Sequence, residues 1–331
     1  MGAGIAIDAP RSKISRAVLR LASKIRGRVT YMNSTTRRDF ARKAALAGTM
    51  ALAGRNASAS PNRPPLCLFS KHLPKLHYGE LASAVKQMGF DGVDLTVRAE
   101  GHVLPGRVAE DLPRAIETLR GAGLVVPMIT TGLTSANDPA ARPTIQTAAR
   151  LGVPVFKLGY WNYREKDSIE ERIGEVRRDV TGLVALAKEH GIAAGYHNHS
   201  GNYVGAAVWD IRAIIGEMDA RSIGYYFDPC HATAEGGEGG WKIALRMALP
   251  RIKMVAIKDF VWEKQAGKWK MQMCPLGQGM VRWGEVFAML AAARFHGPIS
   301  MHAEYEPVDE AAMARDFAFL KKQVDAAYRG V

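Results

Sequence analysis

The chain has 331 residues, 47% of them hydrophobic and 23% charged, a globular composition rather than a disordered, collagenous or disulfide-stapled one. Its formal net charge of +13 sits at one end: residues 1–59 hold twelve Lys/Arg against two acids (+10), and residues 60–331 hold 33 against 30 (+3). The second part lacks the basic footprint that a phosphate backbone selects, so nucleic acid is not an expected partner.

The basic leader has the order of an export signal. Thr36-Arg37-Arg38-Asp39-Phe40 is followed by Ala41-Arg42-Lys43, a small-residue apolar run from Ala44 to Ala53, and a cleavage-like Ala57-Ser58-Ala59. Basic, apolar and small-residue regions in that order make a signal peptide, and the paired arginines with Phe40 close behind resemble the twin-arginine type. The expectation is a signal peptide over residues 1–59, with Met32 a candidate start, and a periplasmic or secreted mature protein. The apolar run is too short for a membrane span. Cys67, Cys230 and Cys274 are widely spaced with no CxxC pair, so neither a disulfide framework nor a structural zinc site is expected.

From residue 60 onward, short apolar runs alternate with helical patterns. The predicted strands are Leu66–Ser70, Gly92–Val97, Val125–Thr130, Val155–Gly159, Ala193–Asn198, Ile223–Phe227, Lys253–Lys258 and Ile299–Ala303. The predicted helices are Tyr78–Met88, Leu112–Ala122, Thr144–Arg150, Ser168–His190, Trp209–Glu217 and Trp283–Ala293. Four joints, "MGFDGVDL", "GAGLVVPM", "ARLGVPVFKL" and "KEHGIAAGY", read as a helix closed by glycine and followed by a buried strand. Eight such repeats in residues 60–331 match the rhythm of a single-domain (β/α)8 TIM barrel. A doubly wound open sheet is the alternative, weakened because no GxGxxG turn follows the first strand.

In such a barrel the active site lies at the C-terminal strand ends, and polar residues crowd them here. In strand order they are Lys71; Arg98 and His102; Lys157 and Trp161; His197 and His199; Asp228 and His231; Lys258; and His302 and Glu304. One such residue is ordinarily a helix cap or a satisfied core polar group, but their convergence on one mouth reads as a binding or catalytic site. His197, Asp228 and Glu304 offer imidazole and carboxylate ligands that suit Mn²⁺, Mg²⁺, Co²⁺ or Zn²⁺. A divalent ion there would polarise a sugar carbonyl while neighbouring groups move a proton. A metal-free hydrogen-bonded network is the competing reading.

The motifs "GYHNHSG", "YYFDPCHA", "VAIKDF", "CPLGQGMVRW" and "ISMHAEYE", in this order, resemble the sugar phosphate isomerase/epimerase family of xylose isomerase-like TIM barrels over residues 65–325. The resemblance implies a divalent metal held by His197, Asp228 and Glu304, with His231 a substrate contact. From their placement at the strand ends, Glu304, His197 and Lys258 are read as catalytic groups, and Arg98, His102, Lys71, Lys157, Trp161 and His199 as further substrate contacts. One departure stands out. Where the family commonly has a fourth ligand histidine in "HxKD", this chain has Ala256. His302 is the expected substitute, His199 the second candidate, and the third option is a metal-free site in which Lys71, Lys157 or Lys258 supplies the positive charge. "CPLGQGMVRW" reads either as a tight loop or as a cover carrying a sugar-stacking surface from Trp262, Trp269 or Trp283.

The expected function is an exported, metal-dependent sugar isomerase or epimerase acting through an enediolate. A keto-sugar or 3-keto-glycoside lyase or dehydratase is the alternative, and a non-catalytic carbohydrate-binding barrel is the alternative of another class. The expected partners are a small carbohydrate, the twin-arginine export machinery and, as an open option, a second copy in a homo-oligomer.

Overall fold

The computed structural model describes residues 63–330. The leader, with its twin-arginine pattern, lies outside the described residues.

Eight parallel strands close into a barrel: β1 (Leu66–Phe69), β2 (Gly92–Val97), β3 (Val125–Thr131), β4 (Val155–Lys157), β5 (Ala193–His197), β6 (Ile223–Phe227), β7 (Ile252–Ile257) and β10 (Ile299–Met301). Around the ring the order is β1-β10-β7-β6-β5-β4-β3-β2, so sequence neighbours are spatial neighbours and β10 meets β1. Helices cover the outside: α1 (Tyr78–Met88), α2 (Val108–Gly121), α3 (Ala141–Arg150), α4 (Ile169–Glu189), α5 (Val208–Ile215), α6 (Pro229–Ala248), α7 (Trp283–Ala292) and α8 (Glu310–Ala327). This is the TIM barrel read from the sequence, and all eight predicted strands are present with ends shifted by two residues or fewer.

The chemistry of the joints explains the regularity. Gly89, Gly123, Gly152 and Gly191 follow or end the helices of the four quoted joints with φ of +91°, +77°, +71° and +70°. A side chain is strained there, so glycine closes the helix and turns the chain into the next strand. The strands carry continuous apolar runs because helices bury their outer face and neighbouring side chains fill the axis. Met128, Val155, Tyr226, Met254 and Ala256 form the inner apolar cluster, and a much larger core lies between strands and helices.

Three elements had no range read for them in the sequence. An antiparallel hairpin, β8 (Asp259–Gln265) with β9 (Lys268–Cys274), leaves the barrel directly after β7. Helix α6 runs through Gly236-Gly237 and Gly239-Gly240, with a kink at Gly237 (φ +60°, ψ −161°), so propensity argued against it. Its start is nevertheless well specified: Asp228 is the N-cap, its carboxylate accepting the His231 N–H, and Pro229 takes the first position. Helix α8 was missed as well, although Asp309 caps it through the Ala312 N–H.

Candidate active site

The barrel mouth encloses a cavity of about 210 Å³. Of the side chains singled out in the sequence, Lys71, Arg98, Lys157, His197, His199, Lys258, His302 and Glu304 line it. Its volume lies below the roughly 300–1,000 Å³ of pockets for drug-sized ligands, so it matches something smaller, on the scale of a monosaccharide.

The "GYHNHSG" segment splits by strand alternation. His197 and His199 both line the cavity, while Asn198 between them is buried and joins β5 to β6. Its Nδ2 donates to the Asp228 carbonyl at 2.9 Å, and its Oδ1 accepts the Asp228 N–H at 2.8 Å. This clasp fixes the residue on which the electrostatics turn. Asp228 Oδ2 lies 3.1 Å from His197 Nε2 and 3.2 Å from Lys258 Nζ. Lys258 Nζ is also 3.1 Å from Glu304 Oε2, and Glu304 Oε1 pairs with Lys71 Nζ at 3.2 Å.

A carboxylate only accepts, so His197 presents Nε2–H to Asp228 and its Nδ1 accepts from the Tyr160 hydroxyl at 2.7 Å. Burial, and then the Lys258 charge, hold His197 well below its usual range, which keeps it neutral. Burial alone would discharge Lys258, but the Asp228 and Glu304 carboxylates outweigh it and leave the ammonium above its ordinary range. Glu304 is likewise pushed up by burial and pulled further down by Lys258, His302 and Lys71, so it stays ionised. Lys157 is the opposite case. It is 2% exposed, its Nζ lies 3.3 Å from the Tyr160 ring centroid, and burial with Arg98 beside it lowers its pKa well below the lysine range.

Several expected contacts are spent elsewhere. His302 stacks on Phe69 (ring centroids 4.4 Å apart), and its Nε2 pairs with the Tyr226 hydroxyl at 3.0 Å. Its Nδ1 is buried without a hydrogen-bond partner, and among the described residues it makes no ion-pair contact with Asp228 or Glu304. His102 is held by Thr96 Oγ1 at 3.1 Å and the Leu73 carbonyl at 3.2 Å, which makes it a brace for the loop after β2. Trp161 is buried against Tyr196 and donates to Asp179, outside the cavity lining. His231 packs on His199 and pairs with Ser200 Oγ at 2.9 Å, its Nε2 3.7 Å from Asp228 Oδ2.

"CPLGQGMVRW" is a folded loop around one carboxylate. Asp259 accepts from the backbone N–H groups of Phe260, Gly277 and Val281 and from Trp283 Nε1. A Cβ on Gly279 would lie 2.1 Å from Asp259 Oδ1, so the close approach requires glycine. Trp283 is therefore packing, whereas Trp262 and Trp269 are exposed on the hairpin.

Sequence reasoning missed an inner polar layer. Asp94 accepts from Thr130 Oγ1, Ser300 Oγ and Tyr226 Oη at 2.8, 2.8 and 3.2 Å. Burial pushes its carboxyl up to about 6 while these three donors hold it down. An acidic residue inside the apolar run "GVDLTV" was the available signal. Tyr160 and Tyr203, which also line the cavity, carried none.

The groups present do not fit a divalent metal between the strand-six and strand-eight carboxylates. The Lys258 ammonium already bridges Asp228 and Glu304, and Ala256 contributes no ligand. A divalent ion about 4 Å from that ammonium would meet a repulsion of about 8 kcal/mol at an effective dielectric of about 20. Among the described residues no cluster of three or more His, Cys, Asp or Glu side chains has metal-holding geometry.

Comparison with known proteins adds the ancestry. The family described as "Xylose isomerase-like TIM barrel" matches residues 82–323. Among curated proteins the chain is 28% identical over 184 residues to an inosose dehydratase of Bacillus thuringiensis, covering 52% of this chain and 57% of that protein. The chain thus spans just over half the length of the curated relatives it matches. A xylose isomerase-like TIM barrel protein from Mycobacterium smegmatis, solved in complex with magnesium, superposes with TM-score 0.62 at 15% identity, covering 80% of this chain and 97% of that one. A 3-keto-D-glucoside 4-epimerase from E. coli gives TM-score 0.62 at 16% identity, over 78% of this chain and all of that one. At such identities the structural likeness shows the fold; its holders include epimerases and dehydratases.

Proposed function

We propose that this chain, which belongs to the xylose isomerase-like TIM barrel family, removes a carbon-bound proton next to the carbonyl of a small keto-sugar and returns it, as an isomerase or epimerase. The observation that carries the reading is the Lys258–Glu304 pair, an ammonium and a carboxylate 3.1 Å apart, both facing a cavity of monosaccharide scale. Removing such a proton needs a base at the carbon and a positive charge at the oxygen where the electrons collect. Lys258, with Arg98 elsewhere in the cavity lining, supplies the second requirement, and Glu304 supplies the first.

Glu304 is held ionised but weakly basic by two ammonium partners. When Lys258 turns its charge toward the enolate oxygen, Glu304 loses one of them, and its basicity rises as the carbonyl is activated. His199 is the second proton-handling group. Its Nδ1 donates to the Ser200 carbonyl at 2.9 Å, which leaves Nε2 with its lone pair free. Tyr160, Tyr203 and Phe69 close the cavity around the sugar's apolar faces.

The second reading, elimination of water or an aglycone after the same proton removal, is favoured by the curated matches, which are inosose dehydratases. Incubation with keto-inositols, ketohexoses and 3-keto-glucosides in D2O, followed by NMR and mass spectrometry, separates the outcomes. Deuterium in an isomeric sugar is expected, with Glu304→Gln losing at least 100-fold in exchange rate. An unsaturated product or a released aglycone selects the lyase. Exchange into none of these substrates overturns the proposal and leaves a carbohydrate-binding barrel.

A further inference from the structure

We infer that Lys258 takes over the place of a divalent cation: its ammonium neutralises Asp228 and Glu304 in the resting site, and the site neither holds nor needs a metal ion. The catalytic half of this inference rests on the proposed proton chemistry; the binding half stands on geometry alone.

Three arrangements carry it. The first is the position of the nitrogen. Lys258 Nζ is buried, 3.2 Å from a strand-six carboxylate oxygen and 3.1 Å from a strand-eight one, so one donor group joins the two residues that a cation would have to join. The second is the lost ligand. Ala256, on the same face of the chain as Lys258 by the two-residue alternation of a strand, packs in the apolar inner cluster with Met254 and Tyr226. The third is the engagement of His197, which uses both ring nitrogens, on Tyr160 and Asp228. His302 spends Nε2 on Tyr226 and, like His231 Nε2, leaves a buried ring nitrogen, Nδ1, without a hydrogen-bond partner.

The charge count agrees. Two carboxylates and one central ammonium leave a net negative charge that Lys71 at the rim offsets, without a further cation. A lysine in this place delivers one charge through three directional N–H donors, whereas a divalent ion delivers two and organises four to six ligands. The inferred site therefore trades Lewis-acid strength for independence from metal supply, and its substrate oxygen is met by a hydrogen-bond donor.

The test uses the full-length protein, dialysed against chelator and then titrated with Mn²⁺ or Mg²⁺ by calorimetry, thermal melting and metal analysis. The wild type is expected to contain less than 0.1 equivalent of metal and to show no saturable binding or melting shift up to 1 mM. Its deuterium exchange is expected to be unchanged by EDTA. Lys258→Ala frees the two carboxylates, so it should melt lower in chelator and recover with Mn²⁺, binding at least 100-fold tighter than wild type. Adding Ala256→His should tighten that binding further. One equivalent of metal retained by the wild type, or a wild-type melting rise at micromolar Mn²⁺, overturns the inference. So does a folded Lys258→Ala that stays blind to Mn²⁺. If that variant does not fold, the wild-type titration decides alone. A metal-blind wild type without deuterium exchange would sink the proposed function and leave the cation replacement standing.

Discussion

Asn198→Ala is the substitution that most directly probes how the barrel holds its site. Asn198 is fully buried, and its side chain makes two hydrogen bonds to the backbone of Asp228. The two are not equivalent. The Asp228 carbonyl also accepts the Ala232 N–H at 3.0 Å, so it keeps a partner when the Asn198 amide is removed. The Asp228 N–H has no second acceptor among the described residues. Orphaning it costs about 1–3 kcal/mol, and the cavity left by the amide adds on the order of 1 kcal/mol. The expected loss is therefore about 2–4 kcal/mol, read as a lower urea midpoint at unchanged m-value. Turnover should fall with it, because the strand-six carboxylate that positions Lys258 loses its tether. Asn198→Asp refines the test: when protonated it can replace both bonds, but ionised it buries an unpaired charge beside Asp228, so its deficit should grow as pH rises. A loss below 1 kcal/mol in Asn198→Ala with normal kinetics would refute the clasp.

Acid stability should carry the signature of His72. Burial, with Glu304 opposing and Lys71 and Lys258 assisting, lowers it from 6.5 to about 4. A depressed histidine stabilises the fold above pH 6.5, and that contribution, about 3 kcal/mol at most, drains as pH falls toward 4. Asp94, raised to about 6, has the opposite sign: its contribution is present below about pH 4 and is lost as pH rises through 6. Denaturation at stepped pH should show a shallower acid-side slope in His72→Gln than in wild type, and an unchanged slope would contradict the assignment. Gly279→Ala should cost about 1–3 kcal/mol by driving a Cβ onto Asp259, whereas Gly239→Ala, on helix α6 with nothing within 4 Å, should be neutral or stabilising. Melting curves that rank these two the other way would remove the argument for the loop. Arg37→Lys with Arg38→Lys should leave the precursor inside the cell on fractionation, and undiminished export would exclude the twin-arginine reading of the leader.

The barrel was legible because its information is local. A parallel strand buried on both faces writes an uninterrupted apolar run, and a left-handed helix end writes a glycine, so eight strands and four joints could be read one at a time. Helix α6 was not legible, since its glycines lower propensity, and what holds it is an N-terminal cap at Asp228-Pro229 together with packing of Trp241 and Leu245. The hairpin after β7 was missed because "DFVWEKQAGKWKMQMC" lies on the solvent side of the barrel, where one polar and one half-buried face blur the alternation.

The site was legible in its Cα positions and not in its side-chain ends. Strand-end placement identifies which residues gather, and eight of the singled-out residues do share one cavity. It does not say what each terminal group touches, because the reach of a long side chain exceeds the spacing between strands. Asp228 and Glu304 looked like metal ligands from the backbone outward, yet the atom between them is the nitrogen of a lysine two residues past the alanine that broke the family pattern. His302, at the register expected of a substitute ligand, instead turns to Tyr226 and so joins the Asp94 network below the cavity. The lysine of the "HxKD" pattern is kept at 258 while its histidine is lost at 256. In the inferred site the apolar residue at 256 deprives a cation of a ligand, and the retained ammonium at 258, already between Asp228 and Glu304, takes its place.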